Sequence, residues 1–189
     1  EVRAELRRAT LLHLTVKDIL AKAGQVKVPE IAIEVVVGTG AAVGTTLREV
    51  MVPCQTISLH DVRLENRFGN VIPDVCADGS DADGLQMGVV FIEVTVTHGF
   101  DEERISRIRK AGRPALEVDL REAFGRVSRS DLAKLVIDGL AGKRWLHYPG
   151  VEERRLALRS AAEAAAAAKT EAKQRLRERS EDFNSIERR

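Results

Sequence analysis

The chain has 189 residues, of which 44% are hydrophobic and 31% charged, a globular composition rather than a disordered one. No run approaches the roughly 18 consecutive apolar residues of a membrane span, and no signal-peptide pattern opens the chain at Glu1. The net charge of +1 argues against bulk electrostatic coating of nucleic acid but leaves room for a local basic patch.

Two cysteines, Cys54 and Cys76, lie 22 positions apart without a CxxC spacing. A disulfide scaffold or structural zinc site is not expected, and the cytoplasm is the expected compartment. Glu1 in place of an initiator methionine is expected of a longer or processed polypeptide.

Taken in order, the first predicted element is a helix over residues 2–23. Leu12, Val16, Ile19, Leu20 and Ala23 form its apolar stripe, and Gly24 stops it. Residues 26–37 alternate as extended chain, with Pro29 as a break. Gly38–Gly44 has neither the GK[ST] ending nor the GxGxxG spacing of a phosphate loop and reads as a turn.

Residues 55–98 read as a strand meander. The first strand slips register near Asp61, as at a bulge, and Asn66–Asn70 is a turn. A second strand covers Val71–Ala77, Asp78–Gly84 reads as a loop, and Met87–Thr97 is a third strand. That acidic loop lacks EF-hand spacing and its closing glutamate, so a solvated hairpin is expected rather than a calcium site.

A helix over 101–111 carries acidic residues in its first turn and basic ones in its last, matching the helix dipole. A strand at 115–120 and a capped helix at 130–140 follow, and Lys143–Gly150 closes the compact part. Trp145 and Tyr148 read as a lid on the core or as a base-stacking pair. The expected domains are therefore 1–150 and an alanine-rich helical arm, 151–189, which offers its surface to a second copy or a partner domain.

Three polar side chains interrupt apolar strands: Asp74 in VIPDVC, and Glu93 with Thr95 in VVFIEVT. A carboxylate in a buried strand is costly unless paired or bound to a cation, and two on neighbouring strands repel unless a cation joins them. Magnesium, or manganese, is the economical ligand, because it takes oxygen donors and serves phosphodiester hydrolysis.

Pro73-Asp74, eighteen intervening residues, then Glu93-Val94-Thr95 on an α-β-β-β-α-β frame resembles the PD-(D/E)XK nuclease superfamily. The similarity is closest to its competence-protein CoiA-like group. It extends to His13-x-x-x-Lys17, to Ile92–His98, to the helix 101–110 and to Pro114–Leu120, covering about residues 10–150.

The resemblance implies a restriction-endonuclease-like α/β (α+β) core with a mixed central sheet, and a metal-dependent nuclease acting on nucleic acid, DNA favoured over RNA. Asp74 and Glu93 would hold the metal. Thr95 stands where the superfamily has a lysine, and its hydroxyl carries no positive charge, so Lys17 is the alternative cation, and the two together would orient water and the scissile phosphate.

Glu65 is a candidate third metal ligand, weighed against a surface glutamate at a strand end. His13, Arg104 and Arg107 are candidate nucleic-acid contacts, weighed against solvated helix residues. By strand alternation His98 points away from Glu93 and is expected to make a structural hydrogen bond. The competing reading is a catalytically degenerate copy of the same fold that binds nucleic acid or protein within a larger assembly.

Overall fold

The computed structural model describes residues 2–38, 45–97, 99, 101–122 and 128–186. Residues 39–44, in the glycine-rich stretch, and His98 lie outside them. The chain divides into two compact units, residues 1–31 with 52–149 and residues 32–51 with 150–189.

The larger unit is an α/β layer structure around one mixed sheet. Helix α1 (Val2–Ala23) ends where Gly24 takes φ +59°, a left-handed conformation that glycine adopts without penalty. The turn lets the Gly24 carbonyl accept from the Leu59 amide at 2.8 Å and start strand β1 (Gln25–Val28). Strands β4 (Gln55–Leu64), β5 (Val75–Ser80), β6 (Gln86–Thr95), β7 (Ala115–Asp119) and β8 (Lys143–His147) complete the sheet, in spatial order β1-β4-β5-β6-β7-β8. Among the described residues of this sheet only β6 and β7 pair in parallel, joined through helix α2 (Glu102–Lys110) as crossovers of this kind require.

The expected bulge is present: the β4–β5 register shifts between His60 and Arg63, with Asp61 at φ +47°.

One face of the sheet carries Ile57, Val75, Val90, Ile92, Val94, Leu116 and Val118. It packs against Val16 and Leu20 of α1 and Leu132 and Val136 of helix α3 (Arg129–Ile137). The other face contributes Phe91 and Ala115 to a smaller core with Ile108 of α2. Because strand side chains alternate, Glu93, Thr95 and Glu117 share this second face.

Both short helices have side-chain caps. Asp101 accepts from the Arg104 amide at 2.6 Å, and Ser128 from the Asp131 amide at 3.1 Å.

The expected loop at Asp78–Gly84 needs correction. Asp78, Gly79 and Ser80 belong to β5, opposite Val89, Gly88 and Gln86. A Cβ at Gly79 would lie 2.6 Å from Val90 Cγ2, so the glycine is there to let the strands approach rather than to turn the chain. The turn proper is shorter: Asp81 Oδ1 accepts from the amides of Asp83 and Leu85. The expected strand at Val71 likewise begins later, at Val75, with Val71 held only by a bridge to Phe68.

Lys143–His147 forms the last strand of the sheet. Trp145 packs on the main core, donates Nε1–H to the Pro29 carbonyl at 2.9 Å and meets Tyr148 edge-on.

The second unit is a two-stranded sheet, β2 (Ile31–Val37) with β3 (Thr45–Val52), and helix α4 (Val151–Ile186). Val151, Leu158 and Ala162 of α4 cover Ile33 and Val35. Arg154 forks onto Glu49 at 2.7 and 3.0 Å. From Glu163 to Arg179 the helix is exposed but for the half-buried Ala166, as expected where alanine and charge leave little apolar surface to bury.

Candidate functional site

Asp74 sits one residue before β5, and Glu93 two before the end of β6. Val75 pairs with Ile92, so the two carboxylates are neighbours across the antiparallel register. The end of β4 is tied to the same point: the Glu65 amide, with Glu65 at φ +50°, donates to the Asp74 carbonyl at 3.1 Å.

Asp74 is buried and charged, and three groups hold it so. Its Oδ2 accepts from the Val94 amide at 2.8 Å. His13 Nε2 lies 3.0 Å from the same oxygen, without the alignment of a hydrogen bond. Lys17 Nζ stands 3.4 Å from Oδ1. Burial pushes the Asp74 carboxyl up, but His13, the Val94 amide and Lys17 outweigh it and hold the group below the ordinary aspartate range.

His13 and Lys17 act together because four residues make one helical turn and share a face. Lys17 is only 2% exposed, a buried ammonium rather than a solvated one. Its ammonium also donates to Glu65 Oε1 at 2.5 Å. That contact holds the Glu65 carboxyl below its usual value although the side chain stays at the surface.

Glu93 is fully buried. Arg104, on the first turn of α2, donates to its Oε2 at 2.5 Å. Oε1 has no hydrogen-bond partner among the described residues. Burial raises the carboxyl to about 7; Arg104 pulls the other way, and the nearby Asp74 charge adds to the rise. A buried carboxylate oxygen left bare beside a second carboxylate favours a cation.

Thr95, expected with Lys17 to orient water and the scissile phosphate, points its hydroxyl at a third carboxylate. It is buried and its hydroxyl donates to Glu117 Oε1 at 2.7 Å. Glu117, also fully buried, takes Arg144 on Oε2. Glu117 was not among the residues expected at the site. The signal was available, since Ala115-Leu116-Glu117-Val118 is the same interruption of an apolar strand that singles out Glu93.

The structure therefore gathers His13, Lys17, Glu65 and Asp74 into one charged group, and Glu93 with Arg104 into its neighbour. Arg107 stays on the exposed side of α2.

Among the described residues no group of three or more His, Cys, Asp or Glu side chains is placed to hold a metal ion. Two carboxylates remain, which suits magnesium or manganese: such ions keep several waters and are commonly held by one or two carboxylates together with substrate phosphate. The donor set fits a hard cation and not zinc, which prefers nitrogen and sulfur. The bare Glu93 Oε1 is the observation on which the fit rests.

Among the described residues no helix is long and apolar enough to cross a membrane. Comparison of the chain with protein-family models, with curated proteins and with solved structures finds no match.

Proposed function

We propose that this chain is a magnesium- or manganese-dependent hydrolase of nucleic-acid phosphodiester bonds, a member of the PD-(D/E)XK superfamily close to its CoiA-like group. In this reading the core is restriction-endonuclease-like, DNA is favoured over RNA, and the protein works in the cytoplasm. The observation that carries the reading is the buried pair of Asp74, just ahead of β5, and Glu93, near the end of β6, with Glu93 Oε1 unpartnered among the described residues.

Asp74 and Glu93 would hold the cation, which supplies a bound water of lowered pKa and neutralises charge developing on phosphate. Lys17 Nζ stands beside Asp74 and supplies the positive charge that Thr95 lacks. Arg104 holds Glu93 through Oε2 and leaves Oε1 without a hydrogen-bond partner among the described residues. Thr95 acts one step back, holding Glu117 against Arg144.

Incubation with labelled single- and double-stranded DNA and RNA, with magnesium, manganese or EDTA, tests the proposal. Cleavage that EDTA abolishes supports it. Intact substrate under every metal condition rejects it.

A second reading has its own observation. Asp74 and Glu93 each already have a basic partner, Lys17 and Arg104, so the pair is stable without a cation. A degenerate fold used for binding would keep such pairs, and would bind nucleic acid or a protein partner in EDTA without cutting.

A further inference from the structure

We propose that the recess between the Arg67–Ile72 segment and α2 binds the phosphodiester backbone of nucleic acid and leads it to Glu93. A cavity of about 250 Å³ is lined there by Arg67, Asn70, Val71, Ile72, Arg104 and Arg107. A second cavity, of about 310 Å³, shares Asn70, Val71 and Arg107 and extends past Phe68 to Lys110.

The charge is of one sign. Four basic side chains line the two cavities and no acidic one does; Glu102 and Glu103, on the first turn of α2, line neither. Among the described residues Arg67, Arg107 and Lys110 make no ion pair, although this chain pairs many of its other arginines. Cations left clustered and unpaired in a concavity repel one another, and an anionic ligand relieves that repulsion.

The spacing suits a polyanion. Arg104, Arg107 and Lys110 recur every third residue along one side of α2, about 4.5 Å of rise apart. They cover about 9 Å, the span of two or three successive phosphates at a rise of 3.4 Å. Val71 and the half-exposed Ile72 give the recess an apolar wall against which sugars can rest, and Asn70 offers amide donors.

Arg104 joins the recess to the buried carboxylate, because it both lines the first cavity and donates to Glu93 Oε2. A phosphate in the recess therefore competes with Glu93 for Arg104.

The identity of the polyanion rests on the phosphodiester reading of the Asp74–Glu93 pair. The test reads binding in EDTA, where cleavage plays no part. Fluorescein-labelled 20-mers, single-stranded and duplex, are titrated with the full chain across a salt series and followed by anisotropy, with inorganic phosphate and pyrophosphate as competitors. The expected result is salt-dependent binding of at least one strand form, and the stronger form identifies the substrate.

Arg107→Ala should reduce the slope of log K against log salt by about 0.7 for a single strand or 0.9 for a duplex. Arg107→Glu should weaken binding about tenfold or more at low salt. Lys173→Ala, on the separate basic stretch of α4, should leave both unchanged.

Equal affinity of wild type and a folded Arg107→Glu overturns the proposal. So does displacement of the oligonucleotide by equimolar pyrophosphate, which would make the recess a small-anion site. Binding through the recess without cleavage in magnesium or manganese would reject the hydrolase and keep the recess. Cleavage with binding indifferent to Arg107 would do the reverse.

Discussion

Glu93 and Glu117 lie directly opposite one another in the parallel register of β6 and β7, both fully buried, and each is held by a different arginine. Arg104 reaches Glu93 from α2, while Arg144 reaches Glu117 from β8. Thr95 completes the Glu117 pair, so both of that residue's oxygens are satisfied, whereas Glu93 has one without a hydrogen-bond partner among the described residues. The two residues share a chemical type and a sheet face but differ in what they are free to do.

Glu93 should make stability depend on pH in a defined window. Its carboxyl rises on folding from an ordinary value of 4.5 to about 7. The folded state therefore holds the proton more tightly than the unfolded state. The stabilisation is complete below about pH 4.5 and is lost as pH climbs through about 7. Over that range wild type should lose up to about 3 kcal/mol relative to Glu93→Gln. Urea unfolding of both proteins at several pH values checks this, and parallel curves would contradict the burial of a bare carboxyl.

The Glu117 network should respond asymmetrically. Arg144→Ala leaves a buried carboxylate oxygen without its partner and should cost about 1–3 kcal/mol, reduced from a fully buried case because the Arg144 side chain is 64% exposed. Glu117→Gln keeps an acceptor for Thr95 and releases Arg144 to water, so its cost should be smaller. Chemical denaturation of the two variants checks the order.

Lys143 supplies an opposite pH signature. It is buried in the sheet, donates to the carbonyls of Lys27 at 2.8 Å and Ile137 at 3.4 Å, and burial pushes its pKa from 10.5 down to about 8. Between pH 8 and 10.5 the unfolded chain holds the proton that the folded chain has lost, so this group's contribution to stability increases with pH. The stability difference between wild type and Lys143→Met should grow across that window. Measuring the difference removes the opposing titrations of Cys76 and Tyr148, whose pKa values burial raises.

Ending the chain at Gly150 should leave the larger unit folded and strip the β2–β3 hairpin of its cover. Val151, Leu158 and Ala162 are what bury Ile33 and Val35. Hydrogen exchange should accelerate within residues 32–51 and stay slow in β5, β6 and β7. Acceleration throughout the sheet would show that the larger core depends on α4.

The amino-acid sequence makes Asp74 and Glu93 visible because each breaks a run of apolar, strand-forming residues, a signal that needs no knowledge of neighbours. The same signal at Glu117 is easily missed, since Arg144 and Thr95, which make it tolerable, lie 27 and 22 positions away. Lys17 is hidden for a related reason. A lysine beside an apolar helical stripe looks solvated until Asp74 is brought against it from another element. Gly79 misleads in the other direction, because a glycine required by close strand packing carries the same letter as one required by a turn. The hairpin's partnership with α4 joins segments about a hundred residues apart and leaves no local pattern.

On the proposed function, Asp74 and Glu93 together hold a divalent cation. Titration calorimetry of manganese into wild type, Asp74→Asn and Glu93→Gln tests it most directly, with circular dichroism confirming that each protein is folded. One manganese should bind per wild-type chain, and that binding should be lost in both variants. Manganese affinity unchanged in either variant, or no binding to wild type with or without an oligonucleotide present, would contradict it.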